Sequence, residues 1–168
     1  MKLLAVFLLV FSMMAKSSAS SKDTSAHEEQ VDLFQRSVPC TAGWTLINGR
    51  CFQYVKKGMT WAAAERNCLS MGANLASVQN ANEYREMQKM IAASSLESKA
   101  AWIGGNSQEE SIWLWSDGSR FDYKSWCSGE PNNDGGNQRC IQINYTAAKC
   151  WDDVNCAFQL HSVCAKKP

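Results

Sequence analysis

The segment that decides the fold reads GEPNNDGGNQRC over residues 129–140, and it pairs with a second segment that reads CWDD over residues 150–153. The first segment is rich in Gly, Asn and Pro, which predicts an irregular surface loop rather than a helix or a central strand. Such a loop must be held by something other than a backbone ladder. Carboxylate and amide oxygens in the two segments are the hard ligands that suit Ca²⁺. The candidate ligands are Glu130, Asn132, Gln138, Asp152 and Asp153.

Several motifs in a fixed order resemble the C-type lectin family. Glu-Pro-Asn at residues 130–132 lies ten residues before Cys140, counted from Glu130, and Trp-Asp-Asp at residues 151–153 precedes Cys156. The resemblance extends over roughly residues 39–165, and the chain is most similar to small secreted fish lectins and the related fish type II antifreeze proteins. The further motifs are Trp-Ile-Gly-Gly at 102–105, Trp-Leu-Trp-Ser-Asp-Gly at 113–118 and Ser-Val-Cys at 162–164.

The amino-terminal segment has the pattern of a secretory signal peptide. Lys2 precedes an apolar run, Leu3–Met14, that ends among small residues, and the run is shorter than the about 20 residues a membrane-spanning helix needs. We therefore expect a signal peptide over residues 1–19, with cleavage near residues 15–20, and a soluble, secreted mature protein. Polar residues 20–37 predict a flexible leader, although its few apolar side chains leave a helix start or self-association open. Residues 38–168 are predicted to form one domain.

All eight cysteines fall within that domain. An even count behind a signal peptide predicts four disulfides in an oxidising compartment, but cysteine spacing alone does not choose among the many connectivities. The resemblance to C-type lectins and their antifreeze branch implies a specific set. The implied pairs are Cys40–Cys51, Cys68–Cys164, Cys127–Cys150 and Cys140–Cys156.

Local signals predict an α+β fold. Asn48-Gly49 predicts a tight hairpin between two strands, and Thr60 predicts the start of a helix that Gly72 ends. A capping-box-like pair, Asn80 and Glu83, predicts a second helix. Its apolar face consists of Tyr84, Met87 and Ile91. Short strands are predicted at 102–103, 112–115, 140–143, 150–151 and 161–165. The resemblance implies their arrangement: a single C-type lectin-like domain with two helices, short antiparallel sheets and a long calcium-binding loop.

Charge and residue chemistry exclude several classes of function. A formal net charge of +1 with 20% charged residues gives no reason to expect binding to nucleic acid or to an anionic membrane. The chain has only two histidines, His27 and His161, and no nucleophile has a recognisable base partner. The sequence therefore predicts a protein that is not an enzyme.

The resemblance also implies a sugar-binding chemistry for the loop. In sugar-binding C-type lectins, Ca²⁺ and its ligand side chains together hold two neighbouring sugar hydroxyls, and Glu-Pro-Asn is associated with mannose-type sugars. The corresponding peptide before Pro131 is expected to be cis. The carbohydrate-binding residues are expected to be Glu130, Asn132, Gln138 and Asp152. Recognition of microbial surface glycans, and oligomers that raise avidity, follow from the same resemblance.

Two of these positions depart from the usual family pattern. Gln138 stands where the family most often has Glu, and Asp152 stands where it has Asn. The family set carries three formal negative charges, and Glu130, Asp152 and Asp153 also supply three here. Because both departures occur together, we expect calcium binding to persist with a mannose-like or broader preference.

Alternatives remain open at three points. Type II antifreeze activity is one, although those proteins carry a further cysteine pair where this chain has Gln108 and Arg139. A protein-binding lectin-like domain is another. Asn144-Tyr145-Thr146 is an N-glycosylation sequon whose occupancy the sequence leaves undecided.

Overall fold

The computed structural model describes residues 40–94, 99–109 and 112–168. The predicted signal peptide and leader lie outside the described residues. No helix within the described ranges is long and apolar enough to cross a membrane. The helices are α1 (Trp61–Ser70) and α2 (Ala81–Ser94), and the strands are β1 (Thr45–Ile47), β2 (Arg50–Met59), β3 (Asn74–Leu75), β4 (Ala101–Glu109), β5 (Ile112–Trp115), β6 (Cys140–Ile143), β7 (Asp152–Val154) and β8 (Leu160–Lys166).

The strands form one mixed sheet in the order β1-β2-β8-β4-β6-β7, with β3 on β8 and β5 on β4. The expectation of antiparallel sheets is wrong at one place, because β4 and β8 pair in parallel, with Ala101 opposite His161. The reason is the position of β8. Its antiparallel ladder with β2, from Cys51↔Lys166 onward, fixes its direction, and it lies between β2 and β4. Strand β8 therefore joins the two halves of the sheet.

The predicted hairpin is confirmed. Asn48 and Gly49 both have positive φ, 50° and 75°, as a tight turn between β1 and β2 requires. Cys40 is bonded to Cys51 at the start of β2. Strand β2 continues to Met59, because β8 pairs along it.

Both predicted helices are present, with one change in the capping. Thr60 caps α1 by accepting a hydrogen bond from the Ala63 amide at 3.3 Å. Asn80 Oδ1 accepts from the Glu83 amide at 2.9 Å, but the Glu83 carboxylate accepts from the Gln79 amide at 2.7 Å rather than from that of Asn80. Tyr84, Met87 and Ile91 are buried as predicted.

Glu83 departs from the usual capping geometry because it belongs to a long-range network that we call the arginine cluster: Arg50, Ser77, Glu83 and Asp117. Arg50 Nη1 lies 3.1 Å from Glu83 Oε1, and Arg50 Nη2 lies 3.6 Å from Asp117 Oδ2. Arg50 also donates to the Ser77 carbonyl at 3.1 Å and to Ser77 Oγ at 2.9 Å, and Ser77 Oγ donates to Asp117. The Glu83 side chain is 1% exposed. A buried carboxylate is thus neutralised by the chain's own guanidinium.

The four disulfides have the pairing that the resemblance implies. Cys68–Cys164 joins α1 to β8 across 96 residues, and Cys140–Cys156 joins β6 to the segment before β8. In the chain-entropy model, a disulfide that closes a loop as long as the one between Cys68 and Cys164 stabilises a fold by about 4.7 kcal/mol. Cys127–Cys150 lies at the base of the long loop.

Candidate functional site

The backbone of the long loop is hydrogen-bonded to the backbone of neighbouring segments at its two ends. The Cys127 amide donates to the Trp151 carbonyl at 2.8 Å, and the Trp151 amide donates to the Ser125 carbonyl at 2.8 Å. At the other end, the Arg139 amide donates to the Val154 carbonyl at 3.2 Å. No residue between these attachments, a fully described stretch, belongs to a strand. The loop is therefore held against the segment that carries Asp152 and Asp153.

Trp151 fixes that segment from below. The sequence predicts a strand at residues 150–151. In the structure the strand is β7 and begins one residue later than Trp151, which forms only an isolated β-bridge with Trp126. Its side chain is fully buried, and its ring makes edge contacts with aromatic rings at centroid distances of 5.7–6.2 Å. The ring neighbours are Tyr84, Trp115, Phe121, Tyr123 and Trp126. The residue next to Asp152 is thus locked in the aromatic core, as expected of a core residue beneath the loop.

Asp153 holds the outer part of the long loop, residues 132–137, which we call the crest. Its Oδ1 accepts a hydrogen bond from the Asn132 amide and its Oδ2 one from the Asn133 amide, each at 2.9 Å. The peptide between Glu130 and Pro131 is cis, as expected. Asp153 is 1% exposed. One buried carboxylate of β7 therefore replaces the backbone ladder that this loop lacks.

Three of the five predicted ligands form what we call the carboxylate cluster: Glu130, Asp152 and Asp153. One oxygen from each lies within 4.8 Å of the others. Asp152 Oδ2 accepts from Gln142 Nε2 at 2.7 Å. Glu130 Oε2 is buried and has no hydrogen-bond partner. None of the ion pairs formed among the described residues involves these carboxylates.

The surroundings of the carboxylate cluster raise the pKa of two of its members, Glu130 and Asp152. Burial raises the pKa of Glu130 to about 6, and the neighbouring carboxylates Asp152 and Asp153 add to the effect. Burial also raises the pKa of Asp152, against the opposing hydrogen bond from Gln142. Removing carboxylates from water disfavours their charged forms, and like charges close together disfavour them further. The cluster is therefore chemically suited to a cation that the chain itself does not supply.

The other two predicted ligands lie beside the cluster. Asn132 Oδ1 and Gln138 Oε1 both accept a hydrogen bond from the Asp134 amide, at 2.8 and 2.7 Å. Each side-chain carbonyl oxygen has two lone pairs, so this bond leaves one available for a cation. Asn132, Gln138 and Asp153 line one cavity. The loop thus gathers carboxylate and carbonyl oxygens without nitrogen or sulfur donors, which fits Ca²⁺ better than a softer metal.

Sequence reasoning missed three residues next to the site. Gln142 orients Asp152, and its only signal is its place opposite Asp152 in the β6–β7 ladder, which no local pattern reveals. Trp113 and Arg139 line the cavity that also holds Asn132 and Gln138. Trp113 is visible in the sequence as part of a family motif, and Arg139 as the neighbour of a predicted ligand.

The Asn144 side chain forms a hydrogen bond within the folded domain. Its side chain donates from Nδ2 to the Lys99 carbonyl at 3.0 Å, and the residue is 8% exposed with a φ of 64°. A glycan would have to replace this buried contact. The folded structure therefore disfavours a glycan at this sequon.

A disulfide-linked α+β domain with two helices, a mixed sheet and a long loop is the architecture of the C-type lectin fold. The chain belongs to the C-type lectin family, since the profile described as Lectin C-type domain matches residues 57–166. Proteins of this family bind carbohydrate or ice and are not enzymes, which confirms that expectation. C-type lectin domains generally bind Ca²⁺, although some relatives do not.

Individual relatives span these activities. The chain is 42% identical over 130 residues to ladderlectin of Oncorhynchus mykiss, covering 77% of this chain and 68% of that protein. It is 38% identical over 128 residues to the galactose-specific lectin nattectin of Thalassophryne nattereri, covering 76% and 80%. A crystal structure of a calcium-independent type II antifreeze protein matches with a TM-score of 0.71 and 36% identity, covering 79% of this chain and 97% of that one.

Proposed function

We propose that this chain is a secreted, calcium-dependent carbohydrate-binding lectin. The observation that carries the proposal is the carboxylate cluster, in which a buried Glu130 oxygen has no hydrogen-bond partner and none of the three carboxylates forms an ion pair with a described residue. Membership of the C-type lectin family supplies the class of ligand.

The residues proposed to hold Ca²⁺ are Glu130, Asn132, Gln138, Asp152 and Asp153. When bound, the Ca²⁺ ion would coordinate sugar hydroxyls directly. The side chains around it orient the sugar through hydrogen bonds. Ionised Glu130 and Asp152 only accept, whereas the amides of Asn132 and Gln138 also donate, so acceptors and donors both face the hydroxyls.

Mannose-type sugars are the proposed ligands, on the strength of Glu130-Pro131-Asn132. The departures at Gln138 and Asp152 exchange a carboxylate and an amide between two positions and leave the number of each unchanged. We expect the exchange to be tolerated. The galactose specificity named for nattectin makes galactose the necessary comparison.

The biological setting is proposed from the same family and from the disulfides. Four disulfides suit an extracellular protein, and we propose a signal peptide over residues 1–19, a leader over 20–37 and the recognition domain over 38–168. Weak single-sugar sites favour clustered microbial glycans as targets and homo-oligomers as the binding form.

Retention of the secreted protein on immobilised mannose with millimolar Ca²⁺, followed by elution with EDTA, tests the proposal. A galactose column runs beside it. Retention on mannose and release by the chelator are expected. Passage through both columns in calcium would overturn the lectin assignment.

The exchange at the two departing positions has its own test. The double variant Gln138→Glu with Asp152→Asn is expected to keep or improve mannose retention, because it restores the family arrangement at unchanged charge. Each single substitution alters the charge by one unit and serves as the control. Loss of mannose retention in the double variant would contradict the role proposed for these two residues.

Ice binding is the second candidate, favoured by the similarity to a calcium-independent type II antifreeze structure. Thermal hysteresis of the protein in calcium and in EDTA tests it. Hysteresis above that of an unrelated protein of equal concentration, together with failure on both sugar columns, would support ice binding instead.

A further inference from the structure

A small cavity lies between the crest of the long loop and the β4–β5 hairpin, next to the carboxylate cluster. Its volume is about 100 Å³, below the roughly 300–1,000 Å³ of pockets that enclose a whole small-molecule ligand. This volume suits a substituent group better than a whole sugar ring. The lining residues are Ser107, Trp113, Pro131, Asn132, Asn133, Gln138, Arg139 and Asp153.

Arg139 is the unusual member of this lining. Its main chain is fixed, since its amide donates to the Val154 carbonyl at 3.2 Å and its carbonyl accepts from the Ser107 amide at 2.9 Å. Its half-buried side chain forms no hydrogen bond or ion pair with any described residue. By contrast, the partly buried guanidinium of Arg50 contacts two carboxylates and a serine. A partly desolvated guanidinium without an anion is unfavourable, and its planar donors match carboxylate and sulfate oxygens.

Three other polar side chains of the cavity are already engaged. Ser107 Oγ donates to the Glu109 carbonyl, and Asn133 Oδ1 accepts from the Gln138 amide at 3.1 Å. Both Asp153 oxygens are directed to the amides of Asn132 and Asn133. Arg139 is the basic side chain of this lining, and Asp153 is its acidic one, with both of its oxygens held by backbone amides.

Trp113 supplies an apolar part of the same lining. Its ring lies 5.0 Å from that of Trp126 and stacks at 6.5 Å on Phe121, measured between centroids, so its position is fixed. A rigid aromatic wall with one placed charged group is the usual composition of a selective small-molecule subsite.

We propose that this cavity is a second subsite, which receives an anionic substituent, a carboxylate or a sulfate, on the sugar attached to the one held at the carboxylate cluster. Arg139 binds the anion, and Trp113 packs against the adjoining ring. The proposal rests on the lectin function proposed above, because the neighbouring sugar must be held in the loop.

A set of matched disaccharides tests the subsite. Mannose, or galactose if that column retains the protein, is linked to glucose, to glucuronic acid or to glucose 6-sulfate, and affinities are measured by calorimetry in saturating Ca²⁺. At least one acidic disaccharide should bind about tenfold more tightly than the neutral one, the size of one charge-assisted contact. The carboxylate and sulfate arms distinguish the two sources of the anion.

The substitution Arg139→Gln should abolish this tenfold advantage while the neutral disaccharide still binds. Arg66→Gln makes the same chemical change at an exposed position of α1 and should preserve the advantage. Equal binding of acidic and neutral disaccharides by the unmodified protein, or an advantage that survives Arg139→Gln, would overturn the subsite alone. Failure of all three disaccharides to bind in calcium would overturn the lectin function together with the subsite built on it.

Discussion

The described part of the domain contains two acidic clusters that include buried carboxylates, and the two differ in the source of the positive charge that balances them. In the arginine cluster, Arg50 contacts both Glu83 and Asp117, at 3.1 and 3.6 Å. In the carboxylate cluster, three acids converge within 4.8 Å, and Glu130 Oε2 has no partner. The first cluster is complete when the chain folds, whereas the second is suited to a cation from solution.

This difference separates the residues that stabilise the fold from those that bind ligand. Breaking a buried ion pair by removing one member leaves an uncompensated charge and is strongly destabilising. Removing a carboxylate from a group of like charges relieves repulsion instead. Chemically similar substitutions in the two clusters should therefore have different effects on stability and different dependences on calcium.

The largest effect is expected from Arg50→Met, which leaves Glu83 buried without its cation. The free energy of unfolding should fall by about 3–5 kcal/mol. Urea unfolding with and without Ca²⁺ should give the same loss, because the arginine cluster has no part in metal binding. Arg66→Met, at an exposed site on α1, is the control. A loss below about 1 kcal/mol would mean that the Arg50–Glu83 ion pair contributes no more to stability than a surface ion pair does.

Calcium should produce the next largest effect, and only through the carboxylate cluster. At about a hundred times its dissociation constant, a ligand that binds only the folded state adds about 2.7 kcal/mol. Thermal unfolding in Ca²⁺ and in EDTA measures this increment. Asp153→Asn should lose it, whereas Arg50→Met should retain it. An increment that persists in Asp153→Asn would place the ion elsewhere.

Glu83→Gln should destabilise the domain by about 2 kcal/mol, because the hydrogen bonds it weakens involve a charged group. The amide keeps the size of the side chain but loses the charge that faces Arg50. Urea unfolding in EDTA provides the measurement, and Ca²⁺ should not change the difference. An unchanged stability would show that Asp117 alone satisfies Arg50.

Glu130→Gln should have the smallest effect and the opposite sign. The pKa of Glu130 is raised from 4.5 to about 6, so the folded state holds this proton more tightly than the unfolded state does. The metal-free protein therefore loses stability as pH rises through that window, and the glutamine variant lacks this loss. A gain of up to about 1 kcal/mol is expected in EDTA at neutral pH, and it should vanish below pH 4.5. Destabilisation in EDTA at neutral pH would contradict the comparison.

Local sequence signals were sufficient for features that depend on neighbouring residues. Asn48-Gly49, Thr60 and Asn80 each direct a turn or a helix start through contacts within a few positions, and the structure has all three. The resemblance was sufficient for the disulfide pairing and for the cis peptide before Pro131.

Long-range contacts account for what the sequence did not predict. Glu83 was predicted only as a capping residue, because Arg50, 33 positions away, becomes its partner through tertiary packing. Strand β3 has two residues, too few to show a periodicity. The parallel β4–β8 pairing and the place of Arg139 in a cavity with Trp113 likewise depend on segments that meet only in the folded chain.

The attachment of the loop crest to β7 through two amides and one carboxylate has a consequence for how such a domain can diversify. Residues 134–137 are exposed and belong to no strand, so their side chains are not required by the sheet. New crests of equal length can therefore be grafted onto the same scaffold, provided that Asp153 and the glycines at 135 and 136, which have positive φ, are kept. Recognition can change by loop replacement while the sheet and the disulfide framework stay the same.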